Sequence, residues 1–167
     1  MFPRAILSVV LVSAAASTAF SASAQELREP RARLAFDVPD AWQTEEKSGY
    51  VIAFPADESF HVRMTGVAGA ADANKAEDVM SRFLVHHLSH VAFTQRGTRV
   101  EYGGYVGYEA RGTGDEHRGG GARWFALVLT DKNDASKGLV VLATGTSAGY
   151  ERNAPIVADA LQKLRAY

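Results

Sequence analysis

Gly145-Thr146-Ser147-Ala148-Gly149 matches the G-x-S-x-G turn that exposes a nucleophilic serine between a strand and a helix. Such a serine is activated by a histidine base that an acid orients. In hydrolases with this turn both partners follow the serine in the chain. Here Asp159 is the sole Asp after Ser147 and no histidine follows. The segment therefore reads as a small-residue loop joining the last strand to the last helix, and no catalytic residue is assigned.

The chain holds five histidines, and His86 and His90 have the i, i+4 spacing that lets two imidazoles on one helix share an ion. A zinc hydrolase helix of that kind would carry Glu at position 87, where His87 stands. On a helical projection His87 falls in the apolar stripe, as a hydrogen-bonded core histidine, with His86 and His90 at its polar margin. A third ligand, such as His61, would have to come from the fold, and no metal or other cofactor is assigned.

Gly112 to Gly121 (GTGDEHRGGG) has five glycines in ten residues. It reads as a connection longer than a hairpin requires, in which Asp115, Glu116, His117 and Arg118 present both signs of charge and could order on a partner. The tryptophans at 42 and 124 and the tyrosines at 50, 102, 105 and 108 read as core and sheet surface. The acidic pairs Asp131 with Asp134 and Asp115 with Glu116 are explained by turn chemistry.

These residues need a scaffold, and the ends of the chain delimit it. Arg4 precedes an apolar, small-residue stretch from Ala5 to Phe20, the first acidic residue is Glu26, and Ala22-Ser23-Ala24 matches an A-x-A cleavage site. The strongly apolar part is shorter than the ~20 residues that span a bilayer. The expectation is a secretory signal over 1–24, a flexible lead-in over 25–33, and a single domain over 34–167, in the periplasm of a bacterium or outside it, with no stable membrane anchor after cleavage. The remaining 143 residues carry 17 basic and 19 acidic groups, a net charge of −2 that gives no electrostatic case for nucleic acid. The absence of cysteine excludes disulfides, thiol nucleophiles, thiolate metal sites and lipidation of the mature start.

Strands are predicted over 33–38, 49–55, 60–65, 99–102, 105–110, 123–130 and 139–146, with clear alternation in 33–38 and 60–65. Asn74 with Glu77 resembles a capping box and opens a helix of about twenty residues that stops before Gly97. Asn153, with Pro155 in the first turn, is read as the cap of a last helix. Trp124 to Leu129 and Leu139 to Ala143 are apolar at every position, so both of their faces must be covered, and the short turn between them makes them an antiparallel hairpin. The fold class is α+β: a mostly antiparallel sheet of about seven strands with helices on both faces.

The order β-β-β-α-β-β-β-β-α, the opening F-x-V-P-x-x-W of Phe36 to Trp42, and the closing Ala160-Leu161-Gln162-Lys163-Leu164 together resemble the PsbP-like (DcrB-type) α/β/α sandwich family. That family includes a photosystem extrinsic subunit, a Ran-binding transport factor, and immunity and chaperone proteins of secretion systems. The resemblance implies a binding module more often than an enzyme and does not choose the partner. An exported binding protein is expected, with a protein partner favoured over a small molecule. The alternatives are an immunity or chaperone protein that binds a toxin or effector, and a small serine hydrolase using Ser147.

Overall fold

The computed structural model describes residues 23–70, 72–117 and 119–167. The secretory signal expected over 1–24 lies outside the described residues except for its last two positions, and Arg118 also lies outside them.

The frame is an antiparallel sheet of seven strands. In chain order these are β3 (Gln43–Lys47), β4 (Tyr50–Phe54), β5 (Phe60–Val67), β6 (Leu88–Tyr102), β7 (Tyr105–Glu116), β8 (Gly121–Asp131) and β9 (Gly138–Gly145). Their spatial order is β3-β4-β5-β9-β8-β7-β6, so the apolar strands β8 and β9 lie at the centre. The register that pairs Phe125 with Ala143 and Trp124 with Thr144 confirms the expected hairpin. Because successive side chains alternate between faces, Phe125, Leu127 and Leu129 enter one core and Trp124, Ala126 and Val128 the other.

Each face is covered by different material. Helix α2 (Ser147–Leu161) and a small sheet of β1 (Ala24–Glu29), β2 (Leu34–Pro39) and β10 (Arg165–Ala166) cover the first, around Phe36, Trp42, Phe60, Val157 and Leu161. Helix α1 (Ala73–Val85) covers the second with Ala76, Met80 and Leu84 against Trp124 and Leu142.

Four expectations give way here. The segment 25–33 is no flexible lead-in: β1 runs antiparallel to β2 from Ala24 with Pro39 to Glu29 with Leu34, and its Leu27 is buried. Helix α1 is capped by Asp72, whose Oδ1 accepts from the Lys75 amide at 2.9 Å, and not by Asn74. It also ends at Val85, because from Leu88 onward the chain pairs with β7 as a long edge strand. Finally, α2 begins at Ser147 under the Thr146 cap, so Asn153 sits mid-helix, buried, with its amide donating to the Gly149 carbonyl at 2.9 Å.

Candidate functional site

Helix α1 packs on β6, β7, β8 and β9, and its Phe83 ring meets Tyr50 of β4 edge-on at 6.4 Å. The alternation of β5 turns Phe60, Val62 and Met64 into the opposite core and leaves His61 and Arg63 on the face that carries α1. Beside them β4 contributes Tyr50, Ile52 and Phe54. His86 and His87 arrive where α1 ends, and Glu116 and His117 hang over from the β7–β8 turn. The result is a cleft of about 310 Å³. Four of the chain's five histidines line it, drawn from three separate elements.

A polar chain crosses its floor. Arg63 Nη1 donates to Thr144 Oγ1 at 2.9 Å, and the Thr144 hydroxyl donates to Glu116 Oε1 at 3.3 Å. His61 Nδ1 stands 3.8 Å from the same carboxylate oxygen. Burial pulls the Arg63 guanidinium below its usual range, opposed by the Glu116 charge and the Tyr50 hydroxyl. No carboxylate among the described residues forms a direct ion pair with Arg63, and its Nε is buried with no hydrogen-bond partner among them. His87 is wedged edge-on between Phe83 at 4.8 Å and Tyr50 at 5.0 Å. Burial first, then the charge of Arg63 and of His86 and His117, lower its pKa to about 4. It is therefore a neutral imidazole at physiological pH.

The supposed flexible loop is mostly sheet. β7 continues to Glu116 and β8 resumes at Gly121, leaving a short turn in which the Gly119 amide donates to the Glu116 carbonyl at 2.8 Å. Its glycines at 112 and 114 belong to the strand, and at 112 a Cβ would stand 1.9 Å from the Ala92 carbonyl oxygen and 2.5 Å from the Trp124 ring. Alternation separates the proposed partner residues: Glu116 and His117 line the cleft, whereas Asp115 faces the other side, with Oδ2 2.9 Å from His90 Nδ1.

His90 is thus divided from His86 by the end of the helix. No group of three or more His, Asp or Glu among the described residues is arranged to hold a metal ion. The Asp115–His90 pair shares a shallow depression with Ser147, yet no hydrogen bond joins Ser147 to His90. The Gly149 of the G-x-S-x-G match has a packing reason, since a Cβ there would meet the Ser59 carbonyl oxygen at 2.1 Å.

A second groove of about 280 Å³ lies between α2 and the β7–β8 face. Its charges are matched: Arg111 pairs with the buried Glu109, and Arg123 meets Glu151 at 2.9 Å and lies over the Tyr150 ring. Sequence reasoning named His61 as a possible ligand and left Arg63 out. The signal was there in Phe60 to Thr65, where a strand with one buried apolar face places an arginine and a histidine on its other face.

A mostly antiparallel sheet between two helices, in this connectivity, is the PsbP-like α/β/α sandwich. No family model matches the sequence, and no curated protein matches it significantly. Solved structures do share the fold. Cyanobacterial PsbP (CyanoP) from Synechocystis sp. PCC 6803 superposes with a TM-score of 0.62 at 12% identity over 93% of this chain and 99% of its own. The Ran-binding protein Mog1p of Saccharomyces cerevisiae gives 0.57 at 7% identity, covering 87% and 96%. LpqN of Mycobacterium tuberculosis, involved in cell envelope biogenesis, gives 0.53 at 12%, covering 84% and 88%. At these identities the likeness establishes the fold. No helix among the described residues is long and apolar enough to cross a membrane.

Proposed function

We propose that the protein is an exported, non-enzymatic binding protein that docks a protein partner on the cleft beyond the end of α1, with the β7–β8 turn as one rim. The observation that carries this reading is the gathering of Arg63, Glu116 and four histidines from separate elements onto an open sheet face, outside both hydrophobic cores. Rigid strands that present polar groups from several segments make a recognition surface. Catalysis would need a nucleophile in reach of a base, and Ser147 has no hydrogen bond to His90. Mog1p, with the same fold, is a Ran-binding protein, and LpqN is involved in cell envelope biogenesis, which agrees with an exported binding role. The A-x-A leader supports export.

A photo-crosslinking residue placed at His117 and, separately, at the exposed Ile156 of α2 tests the surface in the native compartment. Position 117 is expected to yield a discrete protein adduct and position 156 none. Adducts at 156 alone, or at neither site, would overturn the reading, and mass spectrometry of the adduct identifies the partner class.

A further inference from the structure

We propose that Arg63 seats a carboxylate borne on a short apolar stem, so that the cleft recognises an acidic side chain or chain end of its partner, or a free organic acid of the same shape. This rests on the docking surface described above and names the chemistry it recognises.

A buried guanidinium is costly unless an anion sits against it. Arg63 has Thr144 and Tyr50 as neutral partners, Glu116 at longer range, and an Nε–H with no acceptor among the described residues. In contrast, the arginines of the second groove each contact a carboxylate. A guanidinium whose Nε is buried without an acceptor and which has no close carboxylate fits an external anion that completes it. Lys47 is paired with Glu45 and His87 is neutral, so among the described residues Arg63 is the cation on the cleft floor that an incoming carboxylate meets. Ile52 and Phe54 form an apolar wall beside it, suited to a methylene stem. Glu116 is the intrinsic competitor, since its carboxylate repels an incoming one.

The test is titration of the exported protein with butyrate, and with one peptide prepared as free acid and as C-terminal amide. The readout is the Arg63 Nε–H resonance, assigned by its loss in Arg63→Lys. Saturable shifts with a dissociation constant of about 1 mM or tighter are expected. They should weaken at least tenfold in Arg63→Met, tighten several-fold in Glu116→Gln, and weaken with added salt. A free-acid peptide that binds more tightly than butyrate identifies a partner chain end as the source, and the reverse order identifies an organic acid. Glu116→Gln leaves Arg63 in place, so it decides the question even if Arg63→Met fails to fold. No saturable response to about 20 mM, or binding weakened by Glu116→Gln, would overturn the proposal. Crosslinking at position 117 would then still stand or fall separately.

Discussion

His87 carries the pH dependence of the cleft. Burial between Phe83 and Tyr50, and then the charges of Arg63, His86 and His117, lower its pKa to about 4, against about 6.5 in an unfolded chain. Between these two values the unfolded chain binds a proton that the folded protein refuses, so stability rises with pH through that window and is lost as pH falls. A series of melts from pH 4 to 7 should therefore show the midpoint climbing with pH. His87→Leu, which keeps the packing and removes the titration, should flatten the climb, and an unchanged slope would contradict the account. Asn153 offers a second residue-level test. Its buried amide donates to the Gly149 carbonyl, so Asn153→Ala should cost about 1–2 kcal/mol in a denaturant titration. Ser147→Ala, at an exposed position in the first turn of the same helix, should leave stability within about 0.5 kcal/mol. The sequence marked His87 as a hydrogen-bonded core histidine on the helical stripe, whereas His87 lies just past the end of α1, half-buried and packed between two aromatic rings. Nor could the sequence show that His86 and His117 share its cleft, since their meeting depends on where α1 stops and how far β7 extends.

At the scale of elements, what was legible were segments whose apolar pattern is dictated by a core on one or both sides: β2, β4, β5, β8, β9 and the existence of both helices. What was not legible had no such pattern. β3 is Gln43-Thr44-Glu45-Glu46-Lys47 with every residue exposed, held in place by its pairing with β4. β6 begins with Leu88 and Val91 at spacings that continue the stripe of α1, and the chain leaves the helix at His86, where local periodicity gives no warning. β1 looked like a charged lead-in because 25–33 is charged, contains Pro30 and has Leu27 as its one large apolar side chain. In the structure Leu27 is 3% exposed, and Glu29, equally buried, accepts a hydrogen bond from the Ala32 amide. That burial makes β1 a structural strand. Leu27→Ala should lose about 2–4 kcal/mol, and removal of residues 25–29 should lower the melting midpoint by more than any single exposed substitution. Loss of less than about 0.5 kcal/mol for Leu27→Ala would return the segment to the status of a loose end.

The whole molecule has no cysteine, so packing alone must join its layers. The two cores lie on opposite faces of one sheet and share the backbones of β8 and β9, whose alternate residues belong to one core or the other. Neither core can dissolve without exposing the far side of those strands, and a fold built this way should unfold as one unit. The two tryptophans allow a direct test because the chain places one in each core. Trp42 packs edge-on against Phe60 beneath α2, while Trp124 packs against Phe93 beneath α1 and donates to the Thr113 carbonyl at 2.9 Å. Trp124→Phe leaves fluorescence that reports the α2 side, and Trp42→Phe leaves fluorescence that reports the α1 side. Within each variant, the fluorescence midpoint should coincide with that of far-ultraviolet circular dichroism, and added reductant or chelator should move neither. A variant whose tryptophan signal melts more than about 5 °C before its circular dichroism would show that the layers separate. The shared strands would then be a seam between two independently stable halves.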